Sequence, residues 1–201
     1  RFVTQCSDSM SCGESMLSLI LAGGRSRRMG RDKALIEIDG ISCVARVAIA
    51  LAEAGLEPIR IAVANPENID DYGATIPKEI NVEWVLDASP HAGPIEAILE
   101  ALSDPMLEAN ELQITPVDVP WVTPELFTTL ADTIADDDAL VVPADGERMH
   151  PLLALIRPTP VRELLANDRR PLRIQFAEMP HSILLENRAV LKNINLPIDL
   201  G

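Results

Sequence analysis

The chain has 201 residues, enough for one domain with a substantial core; 47% are hydrophobic but only 3% aromatic, so that core is aliphatic. A formal net charge of -14 excludes general nucleic-acid binding, which asks for a basic face, and no apolar stretch approaches the roughly 20 residues of a transmembrane helix. Cys6, Cys12 and Cys43 are an odd set without Cys-x-x-Cys spacing, which favours reduced thiols and a cytoplasmic setting over a disulfide framework or a cysteine-built metal site.

In chain order, residues 1–15 are polar and serine-rich and read as a flexible leader or cloning remnant, which leaves residues 16–201 as a single domain. The apolar run from Met16 to Leu21 reads as a buried strand. It feeds directly into Leu21-Ala22-Gly23-Gly24-Arg25-Ser26-Arg27-Arg28-Met29-Gly30-Arg31-Asp32-Lys33, a cationic, glycine-rich loop in an acidic protein. Glycines let backbone N–H groups come close to a ligand, and Arg25, Arg27, Arg28 and Lys33 offer charge-assisted hydrogen bonds to phosphate oxygens. The loop therefore reads as a triphosphate cradle, with a plain solvated connection as the alternative. It is neither Gly-x4-Gly-Lys-Ser/Thr nor Gly-x-Gly-x-x-Gly, which excludes the two familiar phosphate loops.

Beyond the loop, short apolar runs alternate with helical patterns. Strands are expected at Ile59 to Ala64, Val82 to Leu86, Leu112 to Val117 and Ala139 to Pro143. Helices are expected at about Cys43 to Ala54, Pro94 to Leu102 and Pro124 to Ala135. This alternation predicts an α/β fold with helices on both faces of a mostly parallel sheet. Asp136-Asp137-Asp138 reads as a solvated turn before a strand. Ligands of such sheets bind beyond the carboxyl ends of the strands. The basic loop, Asp87 and Asp118 each follow a strand, so they converge on one crevice. Asp118 is a hard carboxylate suited to Mg²⁺, which takes one or two carboxylates plus substrate phosphates. Its competing role is to start a helix, but Thr123 before Pro124 is the better N-cap. Asp87 is either a turn aspartate before Ser89-Pro90 or an acceptor for a base.

Leu-Ala-Gly-Gly-x-Ser-x-Arg-Met-Gly-x-Asp-Lys-Ala-Leu resembles the signature of the molybdenum cofactor guanylyltransferases, within the Rossmann-like nucleotidyltransferases. Cytidylyltransferases of that group usually carry Leu-Ala-Ala-Gly, so the glycine at position 23 favours the molybdenum branch. Further blocks appear in the family's order: Val85-Leu86-Asp87 with Gly93-Pro94, Asp118-Val119-Pro120, Asp145 to Leu152, and Asn193-Ile194-Asn195-Leu196-Pro197. Together they span roughly residues 16–201.

The resemblance implies a three-layer Rossmann-like fold and transfer of GMP from GTP to the terminal phosphate of molybdopterin. A phosphate nucleophile is already ionised, so no general base is needed, and catalysis rests on aligning and neutralising anions. The implied nucleotide-binding residues are Leu21, Ala22, Gly23, Gly24, Arg25, Lys33, Asp87, Gly93 and Asp118. Arg28, Lys33 and Asp118 are the implied catalytic residues, with Mg²⁺ on Asp118. Arg148, His150, Asn193 and Asn195 are implied for the pterin substrate; the asparagines read equally well as capping or turn residues. Transient contact with molybdenum-insertion proteins or molybdoenzymes is implied, without nucleic acid or membrane. The chain departs from the pattern at Gly93-Pro94-Ile95-Glu96-Ala97, where alanine replaces a glycine, and at Val63-Ala64-Asn65, which keeps one asparagine of two. The alternatives are a cytidylyltransferase using CTP with the same or a related acceptor and a non-catalytic GTP-binding cofactor-delivery partner.

Overall fold

The central strands are apolar on both sides, and this sets the architecture. In strand β1 (Ser18–Leu21) the neighbours Leu19 and Ile20 are both fully buried, yet they enter different cores because successive side chains leave opposite faces of a strand. The computed structural model describes residues 17–23, 32–87, 93–105 and 107–194. The expected leader, and Gly24, Arg25, Arg28 and Asn195 among the implied site residues, lie outside the described residues.

After Asp32 come a 3₁₀ turn (Lys33–Leu35), a hairpin of β2 (Glu37–Ile38) and β3 (Ile41–Ser42), helix α1 (Cys43–Glu53), β4 (Ile59–Val63) and α2 (Glu67–Gly73). Then follow β5 (Val82–Leu86), α3 (Pro94–Leu102), β6 (Leu112–Pro116), α4 (Pro124–Thr133) and β7 (Leu140–Ala144). A second 3₁₀ turn (Pro151–Leu153), β8 (Leu155–Ile156), α5 (Pro158–Asn167), α6 (Leu172–Ala177) and β9 (His181–Leu185) complete the described elements.

Seven strands form one sheet in the order β5-β4-β1-β6-β8-β7-β9. Every neighbouring pair is parallel except those of β8, which runs antiparallel to both β6 and β7. The expected α/β class with a mostly parallel sheet is what the chain adopts. On one face, α1, α2 and α4 cover Ile20, Ile61, Val63 and Val141; on the other, α3, α5 and α6 cover Leu19, Ala62, Ile114 and Val142. The three layers follow from that division.

Helix starts follow local chemistry. Ser42 Oγ accepts the Ala45 amide at 3.2 Å at the start of α1, and Thr123 Oγ1 accepts the Leu126 amide at 3.3 Å at the start of α4. Thr123 is thus the cap of α4, which leaves the Asp118 side chain available for other partners. The triplet Asp136–Asp138 forms the expected turn before β7, with the Asp138 carboxylate accepting the Ala135 amide at 2.9 Å. No described helix is long and apolar enough to cross a membrane.

Candidate active site

β1 lies between β4 and β6, so the carboxyl ends of these strands open onto one place. Backbone pairing continues past the strand ends: the Ala22 amide donates to Ala62 O at 3.0 Å, Val117 to Leu21 O at 3.2 Å and Asp87 to Val63 O at 2.9 Å. These bonds fix Ala22-Gly23, Asp87 and Val117-Asp118 around a cavity of about 380 Å³. Of the residues implied by sequence, Leu21, Ala22, Gly23, Lys33, Asp87, Gly93, Asp118 and Asn193 all line it.

Each line of chain delivers its side chain for a local reason. Gly93 has φ +114°, a conformation L side chains rarely adopt, and it leads into α3 through Pro94. The helix N-terminus thus faces the cavity, where its dipole favours an anion. Gly23 matters for a different reason: a Cβ there would lie 2.4 Å from Asp87 Oδ2, so the carboxylate would have to move away. Glycine at 23 is what lets the Asp87 carboxylate close onto the first loop.

The electrostatic centre is a pair between Lys33 Nζ and Asp118 Oδ2 at 3.1 Å, each side chain about one-fifth exposed. Asn193 Nδ2 approaches Asp118 Oδ1 at 3.4 Å, and the Asp118 carbonyl accepts the Ile194 amide at 2.8 Å. Residues 193 and 194 are therefore tied to Asp118 by backbone as well as side chain. The amide oxygen of Asn193 is buried without a hydrogen-bond partner, so an oxygen acceptor stands beside Asp118. Cys43, at the start of α1, has its thiol pushed up to about 11 by burial, so it stays protonated and is no nucleophile at neutral pH.

Among the described residues no group of three or more His, Cys, Asp or Glu side chains gathers as a self-sufficient metal cage. The donors present suit a hard cation that shares its coordination with a substrate: the Asp118 carboxylate and, beside it, the orphaned Asn193 amide oxygen.

Arg148 and His150 are placed elsewhere, outside the cavity lining, although Leu152 two residues on does line it. They sit on the turn after β7, organised by Asp145. The Asp145 side chain is 1% exposed and accepts the Glu147 and Arg148 amides, each at 3.0 Å. It also meets His150 Nε2 at 3.2 Å and Arg148 Nε at 3.6 Å. His150 is largely buried and Arg148 is exposed. Arg170, between α5 and α6, pairs with Asp168 and Glu178, both at 2.6 Å.

Sequence reasoning missed Asp32, Leu152 and Ala97 as lining residues and Asp145 as the organiser of its turn. For Asp32 a signal exists: an aspartate directly before Lys33-Ala34-Leu35 is a cap for a helical turn.

A mostly parallel α/β sheet with a glycine approach, a lysine and several carboxylates at its carboxyl edge is a layout suited to handling a nucleotide. Residues 18–179 match the family described as the MobA-like NTP transferase domain. A molybdenum cofactor guanylyltransferase of Shewanella frigidimarina is 27% identical, over 90% of this chain and 91% of its own length. A protein named probable molybdenum cofactor guanylyltransferase, from Natronomonas pharaonis, is 31% identical over 74% of this chain and 71% of its own. In fold, a nucleotidyl transferase from Methanothermobacter superposes with a TM-score of 0.77 at 15% identity, covering 93% of this chain and 94% of that one. The chain belongs to the MobA-like NTP transferase family, and it is a nucleotidyltransferase.

The bonds to Asp145 hold its carboxyl well below the usual carboxylate range, the Arg148 and Glu147 amides foremost. A depressed folded-state pKa gives stability that is present above the unfolded value of about 3.9 and lost as pH falls through the folded value. Asp145→Asn is therefore expected to lower the melting temperature at pH 7, with the deficit shrinking as pH falls below about 3.9. Thermal unfolding of both proteins across pH 2 to 7 checks this.

Proposed function

We propose that the protein transfers GMP from GTP to the terminal phosphate of molybdopterin or the molybdenum cofactor, releasing pyrophosphate and yielding the guanine dinucleotide form. The observation that carries this reading is the convergence of Gly23, Asp87, Lys33 and Asp118 on one cavity. The names of the curated relatives supply the acceptor. An acceptor phosphate oxygen attacks the α-phosphorus of GTP; the new P–O bond forms as the bond to the α,β-bridging oxygen breaks, and pyrophosphate leaves with that electron pair.

The attacking phosphate is already an anion, so the site's work is positioning and charge. Lys33 meets the phosphate chain and offsets the charge that builds on the departing pyrophosphate. Asp118 and the Asn193 amide oxygen would hold Mg²⁺, which when bound neutralises phosphate oxygens and orients them. A triphosphate with its cation brings both charges of the Lys33–Asp118 pair, each in the opposite place, so substrate binding exchanges one ion pair for two. The N-terminus of α3 adds a favourable dipole for phosphate.

Asp87 reads the base. A carboxylate accepts from guanine N1–H and its exocyclic amine, whereas it opposes the acceptor edge of cytosine. Gly23 supports that assignment by leaving room for the carboxylate. Arg148, His150 and Asn195 are assigned with Asn193 to the pterin substrate, and Gly24, Arg25 and Arg28 to phosphate binding. The site of action on this reading is the cytoplasm.

Pyrophosphate release is measured with molybdopterin, Mg²⁺ and each nucleoside triphosphate separately. GTP is expected to support turnover at least about a hundredfold faster than CTP, because a site built to bond a donor edge leaves its carboxylate unpaired with the wrong base. Preference for CTP contradicts the base assignment, and absence of release with every nucleotide contradicts the transfer reading in favour of a delivery partner.

Gly23→Ala tests the base reader from the opposite side. The added Cβ displaces Asp87, and GTP affinity is expected to fall by about tenfold or more while the fold is kept, since the clash is with a side-chain end. Calorimetric titration of GTP against both proteins, with their melting temperatures, checks it.

A further inference from the structure

Asp32 lines the nucleotide cavity as a carboxylate, yet among the described residues no cation pairs with it. Its charge is met by neutral donors. Oδ1 accepts the Ala34 amide at 3.0 Å and so caps the 3₁₀ turn that begins at Lys33. Oδ2 accepts the Tyr72 hydroxyl at 2.5 Å and the Asn68 amide at 3.3 Å. Those two donors stand one helical turn apart on α2, on the same side of the helix.

Tyr72 itself is fixed. It is 1% exposed, with its ring 6.5 Å from that of Trp84 on β5, and its carbonyl accepts Thr75 Oγ1, which in turn accepts Ser42 Oγ at 2.8 Å. A rigid chain therefore runs from the β5 edge of the sheet through Tyr72 to Asp32. From there it passes through the capped turn to Lys33 and Asp118.

We propose that Tyr72, assisted by Asn68, is a positioning residue: it grips Asp32 from α2 and thereby sets the turn that aims Lys33 at the phosphate chain. This rests on the phosphate role given to Lys33 above. A turn this short has little cooperativity of its own, so its direction is decided by its cap, and the cap is decided by what holds its second oxygen. Burial, and then the Asp32 carboxylate, push the Tyr72 phenol well above its ordinary pKa, so the hydroxyl remains a donor throughout the working pH range.

The test is a set of calorimetric titrations with GTP and with GMP, in Mg²⁺ buffer, of the wild-type protein, Tyr72→Phe, Lys33→Ala and the double variant. Tyr72→Phe keeps the ring and removes only the hydroxyl. It is expected to weaken GTP about fivefold while changing GMP less than about twofold, and to add nothing once Lys33 is alanine. Asn68→Ala, whose loss leaves Tyr72 in place, is expected to act in the same direction to a smaller extent, and melting temperatures establish that the variants are folded. An equal loss for GTP and GMP, an unchanged GTP affinity, or full additivity in the Lys33→Ala background overturns the assignment alone. Wild-type protein that binds no triphosphate contradicts the proposed function, and this assignment with it.

Discussion

The ion pair between Lys33 and Asp118 is the constraint around which the rest of the site is organised. It joins the turn after the first strand to the end of β6, residues 85 positions apart in sequence. Two partly buried charges at 3.1 Å lose hydration that their attraction only partly returns, so such a pair is weak evidence for stability. Its position is more informative than its energy. In a chain of net charge -14, it sets a cation among Asp32, Asp87 and Asp118, where those carboxylates alone would repel a polyanionic substrate.

The sheet makes this arrangement possible. With β1 central between β4 and β6, the first loop must emerge beside both Asp87 and Asp118. The reversed strand β8 then brings the Pro151–Leu153 turn, and with it Leu152, to the same edge. Gly23 and Asp87 are a steric pair across two of these strands' ends, and neither residue explains the site without the other.

Much of this was legible in the sequence, for physical reasons. Strands buried on both faces are largely apolar runs, which is why β4, β6 and β7 fall within a residue or so of the expected ranges. The edge strand β5, only partly buried, was still legible from Val82, Trp84, Val85 and Leu86. The hairpin of β2 and β3 went unread because its strands have two residues each, although Asp39-Gly40 is a turn signal and both adopt positive φ, 53° and 78°. Strand β8 has two residues and no pattern of its own; only its neighbours decide it. Helix α2, Glu67–Gly73, was missed because an acidic seven-residue segment has weak periodicity. The same limit hid Tyr72: nothing in residues 67–73 points to a partner 40 positions away. Asp87, Asp118 and Lys33 were readable because each ends a strand or sits in a motif. Asp145, whose carboxylate folds a turn back on itself, was readable only as part of a motif and not as its organiser.

The most direct test of the account is a crystal structure of the protein with GTP and Mg²⁺ in the absence of acceptor. The account predicts that Lys33 Nζ leaves Asp118 for a phosphate oxygen, that the ion takes Asp118, and that the Asp87 carboxylate faces the guanine edge beside Gly23. A nucleotide seated in the cavity with the Lys33–Asp118 contact unbroken, or with its base turned away from Asp87, would contradict it.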